Sequence, residues 1–189
     1  MIIFLGGSRD LAFVPEEVQL RLDSWIHSGA HFVIGDANGA DSALQAFLVN
    51  RESREVTVFS SADRVRNNIG HWQEERVESE LKGSSADKHT VKDREMVRRA
   101  TQGLVMWDRK SIGTLVNIID LVQASKPVLL FDSQTNDLQP LESQADFAAW
   151  SQAFSREIET ARKRLKRYQN RLAKNAAESD EEEPDDRLF

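Results

Sequence analysis

The chain has 189 residues, with 25 Lys and Arg against 31 Asp and Glu, and no cysteine. That length suits one domain of ordinary size with a few tens of residues to spare. The lack of cysteine excludes disulfides and any Cys-ligated zinc or iron–sulfur centre. Met1–Leu5 is too short for a signal peptide and lacks a basic flank, and no run approaches the ~18 apolar residues of a membrane span. A cytoplasmic address without a membrane partner is therefore expected. The formal net charge of −6 is unevenly spread. Residues 1–154 carry 16 basic and 22 acidic side chains, residues 155–177 carry 8 and 2, and residues 178–189 carry 1 and 7. The total thus hides a basic segment and an acidic tail, and by itself says little about partners.

Short apolar runs alternate with helical patterns through residue 132. Ile2–Leu5 reads as a buried strand closed by Gly6-Gly7. Pro15 opens a helix with Glu16 and Glu17 at its positive end. Val18, Leu22, Trp25 and Ile26 form its inner face, and Gly29 stops it. His31–Ile34 is a second strand, Gly35–Asp41 a glycine-bearing turn, and Ala43, Leu44, Phe47 and Leu48 another helix face. Val56–Phe59 is a third strand. Residues 60–89 are long for a connection and suit a lid or binding loop, with a polar helix around Glu74–Leu81.

Thr90–Ala100 is the next expected helix, with Thr90 and Asp93 placed as a near capping box. Leu104–Trp107 is a fourth strand, Thr114–Ala124 a helix, and Val128–Phe131 a fifth strand. Strands alternating with helices, each strand apolar throughout, imply an α/β fold: a doubly wound parallel sheet of about five strands in three layers. One long helix is expected from about Ser143. The organisation expected is an α/β domain over 1–140, an amphipathic basic helix over 143–177, and a disordered acidic tail over 178–189.

In such a sheet the ligand crevice lies beyond the carboxyl ends of the strands, where strand order reverses. With the order 3-2-1-4-5 that point lies between the first and fourth strands. Unusual loops follow both. Gly6-Gly7-Ser8-Arg9 follows the first, and Asp108-Arg109-Lys110-Ser111-Ile112-Gly113-Thr114 follows the fourth and leads into a helix. Glycines admit a phosphate close to the backbone, and a helix N-terminus offers N–H donors. Gly7, Ser8, Arg9, Lys110, Ser111, Gly113 and Thr114 are the candidate phosphate-holding residues. Neither a dinucleotide fingerprint nor a Walker A loop is present. Asp36, Asn38 or Asp41 in the loop from Gly35 through Gly39 to Asp41 would hold ribose hydroxyls. Alternatively, Asp41 caps the next helix and Asp36 shapes the turn. Lys92 and Asp93 lie beside the insert, as a capping pair or as ligand contacts. Arg66–Trp72 suits a lid over a base or ribose, or an anchor through Trp72. The four histidines lack metal-ligand spacing, so no metal is expected, and magnesium enters only with a polyphosphate ligand.

Together, Gly6–Arg9, Gly35–Asp41, Lys92–Met96 and Trp107–Ile118 resemble the SLOG superfamily, over roughly residues 1–132 and in the right order, as does Arg66–Trp72 in the insert. These are Rossmann-like domains related to LOG phosphoribohydrolases and to the DNA-processing protein of natural transformation. The closest resemblance is to small bacterial and phage members of unassigned function. It implies a Rossmann-like fold and a pocket for a nucleotide or nucleotide derivative, with no other cofactor required. Some such proteins cleave N-glycosidic bonds, some sense nucleotides, and some bind single-stranded DNA. The LOG enzymes carry P-G-G-x-G-T-x-x-E with a catalytic Glu, and Asn117 stands at that position here. An amide cannot act as a general base. A surrogate would come from Asp108, Asp36, Asp41 or Asp93, and Asp108 is placed best by sequence. Its alternative role is to orient Ser111 or Arg109. Three readings result: a nucleotide sensor or processing protein, an N-glycoside hydrolase, and a nucleic-acid adaptor.

The adaptor reading rests on the C-terminal helix. Phe154, Ile158, Ala161, Leu165, Tyr168 and Leu172 follow 4-3-4-3-4 spacing. That seam either packs on the chain's own domain or pairs with a second copy as a homodimer. Arg156, Arg162, Lys163, Arg164, Lys166, Arg167, Arg171 and Lys174 form a stripe able to neutralise phosphates. The acidic tail would compete for it, and its end, Asp185–Phe189, resembles peptides that dock on replication proteins.

Overall fold

A computed structural model describes residues 1–62, 64–78 and 85–181. Strands β1 (Ile2–Gly7), β2 (His31–Gly35), β3 (Val56–Ser60), β4 (Gln73–Arg76), β5 (Gln102–Trp107), β6 (Val128–Asp132) and β7 (Asp137–Leu141) form one sheet, ordered β4-β3-β2-β1-β5-β6-β7. All neighbours are parallel except the antiparallel β6–β7 pair. The five apolar strands stand in the expected 3-2-1-4-5 order, so the fold is Rossmann-like α/β. Strands are added to one side of β1 as far as β4 and to its other side from β5 on, so strand order reverses between β1 and β5, and the crevice opens there.

Two further strands extend the sheet, and both are polar edges. Gln73–Arg76 pairs with β3, which corrects the helix expected around Glu74. Arg99 ties it down: its guanidinium bonds Glu75, reaches Glu95 Oε1 at 2.7 Å and lies over the Phe59 ring. Asp137–Leu141 pairs with β6, and Pro140 is tolerated because the strand is an edge.

Side chains alternate across the sheet, as pleating requires. Ile3, Leu5, Leu104 and Met106 meet α1 (Glu16–His27) and α2 (Ala40–Asn50) on one face. Phe4, Val105 and Trp107 meet α3 (Ser85–Arg99), α4 (Ile112–Gln123), α5 (Gln144–Ser151) and α6 (Ser155–Glu181) on the other. Helix α3 begins at Ser85, so Thr90 lies inside it and not at its N-terminus. Asp93 instead bonds Lys92.

The single helix expected from Ser143 is two helices. Ser143 and Asp146 form a capping box at the start of α5, and a 3-10 turn over Gln152–Phe154 separates it from α6. Trp150 and Phe154 at this break pack edge-on against Trp107, with centroids 5.5 and 4.9 Å away. Ile158, Ala161, Leu165 and Tyr168 are buried within the chain, and α6 packs against α4. Only Leu172 of the apolar seam is exposed, so self-association through the other residues would require α6 to leave α4. Helix α6 runs four residues into the segment expected to be disordered. Residues 182–189, and with them the Asp185–Phe189 end likened to docking peptides, lie outside the described residues. No helix among the described residues is long and apolar enough to cross a membrane.

Candidate functional site

A cleft of about 520 Å³ opens at the carboxyl ends of β1, β2 and β5. Of the residues singled out in the sequence, Gly6, Gly7, Arg9, Gly35, Asp41, Lys92, Asp93, Asp108, Lys110, Ser111, Gly113, Thr114 and Asn117 line it. Its volume lies within the 300–1,000 Å³ usual for small-molecule sites. Phe4, Leu5, Met96, Ile112 and Val116 supply apolar wall.

The loop after β5 is shaped by its own carboxylate. Asp108 Oδ1 accepts the N–H of Lys110 at 2.9 Å, the N–H of Ser111 at 2.8 Å and the Ser8 hydroxyl at 2.8 Å. Burial pushes the Asp108 carboxyl up, but these donors outweigh it and hold it below its ordinary range. Asp108 is thus an anion spent on folding the loop, the alternative role anticipated for it. Arg109 takes a left-handed backbone conformation, φ 62°, and turns away from the cleft. Its Nε lies 2.8 Å from Asp132 Oδ2, and its guanidinium covers Phe154. The next residue, Lys110, faces the cleft. Ser111 then caps α4: its hydroxyl accepts the Thr114 N–H at 3.3 Å and the Thr114 hydroxyl at 2.9 Å.

Ser8 and Trp107 are not in the lining. Ser8 is fully buried, with its hydroxyl between Asp108 and Thr114. Trp107 is fully buried and donates its indole N–H to Ser111 O at 3.2 Å. Both hold the loop rather than face the cleft. Gly7 lines the cleft, yet its missing side chain has a packing reason. A Cβ there would lie 2.5 Å from Met106 O and 2.8 Å from the Ala40 methyl.

A buried polar cluster forms the floor. Lys92 Nζ donates to Asp93 Oδ1 at 2.7 Å, and Asn117 Nδ2 donates to Asp93 Oδ2 at 3.3 Å. Asp41 lies in the first turn of α2, where Gly39 rather than Asp41 is the cap, and it accepts the Ala37 N–H at 3.2 Å. A Cβ on Gly35 would collide with both Asp41 and Lys92. Burial pushes the Asp41 carboxyl up to about 6, against the pull of Lys92. Burial would lower the Lys92 ammonium, but Asp93 and Asp41 outweigh it and raise it.

The loop after β2 behaves differently. Asp36 is wholly buried and accepts bonds from Ser60 Oγ at 2.9 Å and from the Arg66 backbone N–H and guanidinium, the shortest at 2.7 Å. Burial raises its carboxyl, yet Arg66 and Ser60 hold it below its ordinary value. Asn67 donates to Asp36 O and to Asn38 Oδ1, both at 2.9 Å. Trp72 donates to Ser53 O at 2.8 Å. Asp36, Asn38 and Gly39 therefore do not line the cleft, and neither does Arg66–Trp72. That segment is an anchor, not a lid over the cleft.

One cation was missed. Arg164 of α6 lines the cleft, with Nη1 3.7 Å from where a Gly113 Cβ would stand. In the sequence it belongs to the outer stripe. The usable signal is its position beside Leu165 on the buried seam, which points to the cleft only once α6 is known to dock on α4. The remaining stripe residues are exposed. No protein-family model, curated protein or solved structure matches this chain.

Proposed function

We propose that the cleft binds a small phosphate-bearing ligand of the nucleotide class, in a sensor or processing protein. The observation that carries this reading is the arrangement of charge. Arg9, Lys110 and Arg164 line the cleft from three separate segments, together with Gly113 in the first turn of α4, while Asp41, Asp93 and Asn117 supply its acceptor-bearing side. Gly113 and Asn117 are four residues apart, or about 6 Å along a helix. A phosphate beside the cations leaves ribose hydroxyls within reach of the acceptors, and the apolar wall suits a base. The resemblance to the SLOG superfamily points the same way. No metal is needed, and magnesium would come only with a polyphosphate.

The test is thermal stability against a panel of nucleoside mono-, di- and triphosphates. At least one should raise the midpoint, and Arg9→Ala with Lys110→Ala should abolish that rise. No shift with any nucleotide would end the proposal.

A second reading, N-glycoside hydrolysis, is favoured by one observation. A carboxyl held near pH 6 on the floor suits proton transfer, so Asp41 fits an acid–base role better than Asp108. Water would add across the bond, releasing free base and a ribose phosphate. Base release from nucleoside monophosphates, lost in Asp41→Asn, is its test. Release that survives Asp41→Asn removes that role.

A further inference from the structure

We propose that Arg164 grips the ligand's phosphate, so that filling the cleft clamps α6 onto α4. This rests on the phosphate-binding reading of the cleft. Arg9 and Lys110 come from loops of the sheet itself, and Lys92 lies on the floor paired with Asp93. Arg164 comes instead from the last helix, after the sheet is complete. Its side chain is partly buried, and its guanidinium stands beside the first turn of α4 at Gly113. A guanidinium carries five N–H donors, so one beside this turn can bond a phosphate approaching it without giving up its other contacts.

Helix α6 is attached along one face. Ile158, Ala161, Leu165 and Tyr168 hold it, and the Arg94 guanidinium covers Tyr168 at 4.8 Å while reaching Asp120 at 3.3 Å. From Gln169 to Lys174 every side chain is exposed. A ligand that touches both α4 and Arg164 binds the docked helix better than an undocked one. Linkage then requires it to favour docking by the same factor. The helix also carries the exposed basic stripe, so occupancy of the cleft would set how firmly that stripe is held to the body of the protein. The clamp thereby supplies an output for a nucleotide sensor.

The experiment titrates the full chain with AMP and with adenosine, in wild type, Arg164→Ala and Arg164→Lys, and follows amide hydrogen exchange along α6. Loss of a charge-assisted bond should weaken AMP roughly 10- to 100-fold in Arg164→Ala. Adenosine, lacking the phosphate, should bind both proteins alike. Arg164→Lys, which keeps the charge and the stem, should retain part of the AMP affinity and guards against a folding defect. Saturating AMP should slow exchange over residues 158–172 in wild type and not in Arg164→Ala. Equal AMP affinity in all three proteins overturns the proposal and leaves the site reading standing. So does an equal loss for adenosine, or protection confined to the cleft loops. Failure of wild type to bind AMP, adenosine, inorganic pyrophosphate and every nucleotide of the panel removes the site reading and the clamp with it.

Discussion

The loops after β2 and β5 look alike in the sequence and are opposites in the structure. Each carries an aspartate just past a buried strand, with glycines and a helix to follow. After β2, Asp36 is saturated by Ser60 and Arg66, and Asn38 is taken by Asn67. The chain has filled that half of the crevice with its own insert. After β5, Asp108 folds its loop so that Lys110, Ser111 and Gly113 border open volume. A carboxylate after a strand is thus no sign of a ligand by itself. What separates the two halves is which donors the carboxylate takes: Ser60 and the insert residue Arg66 for Asp36, and the backbone of Lys110 and Ser111 with the buried Ser8 hydroxyl for Asp108. No insert residue reaches over Asp108, and the space above its loop stays open.

The largest test of that contrast is Asp36→Ala. It would leave the Arg66 guanidinium and the Ser60 hydroxyl without their acceptor beneath the insert. Orphaning one partner of a buried pair costs about 3–5 kcal/mol, and the partial exposure of Arg66 puts the expected loss near about 3 kcal/mol. Chemical denaturation measures it, and AMP affinity of the folded protein should be unchanged. A loss under about 1 kcal/mol would show that the insert is not held by this pair.

The second test uses pH, because Asp36 and Asp41 are shifted in opposite directions. Asp36 is lowered, so its contribution is present above its ordinary value of 3.8 and is lost as pH falls. Asp41 is raised to about 6, so its contribution is full below 3.8 and is lost as pH rises through 6. Asp41→Asn keeps an acceptor for the Ala37 N–H and removes the titration. Stability of this variant relative to wild type should therefore climb by about 2 kcal/mol between pH 4 and pH 7. Parallel profiles for the two proteins would show that the floor carboxyl is not held protonated, and would weaken the hydrolytic reading as well.

These assignments separate what residue patterns reveal from what they conceal. The five inner strands were legible because each is an unbroken apolar run buried on both faces. The polar edges were not. Gln-Glu-Glu-Arg in β4 carries no apolar period, and its partners, Arg99 and the β3 backbone, lie far along the chain. The 4-3-4-3 seam of α6 was legible as an amphipathic face, but that spacing serves a helix on its own domain as well as a coiled coil. Most of the cleft was legible because topology alone puts the loops after β1 and β5 together. Ser8, Asp36, Asn38, Gly39 and Trp107 lie outside the cleft lining, because their partners, not their types, decide where they sit. Arg164 was missed for the same reason: its position depends on how α6 docks.

The smallest expected effect draws the contrast most finely, because it turns on sign. Glycines at the crevice are of two kinds. A Cβ on Gly7 or Gly35 would strike atoms already in place, and Gly39 has φ 83° with the Arg9 backbone against it. Gly113 differs, since a Cβ there meets only Arg164 Nη1 at 3.7 Å and Ser111 Oγ at 4.0 Å, both ordinary contacts. Gly113→Ala should therefore stabilise the unliganded protein by about 0.5 kcal/mol, through the entropy of the unfolded chain and better helix formation. If the phosphate sits beside this turn, the new methyl occupies its approach, and AMP affinity should fall as stability rises. A variant that gains stability and binds AMP as wild type does would place the phosphate elsewhere in the cleft. One that loses stability would make Gly113 a packing glycine like Gly7, and the loop after β5 would then be closed by its own chain as the loop after β2 is.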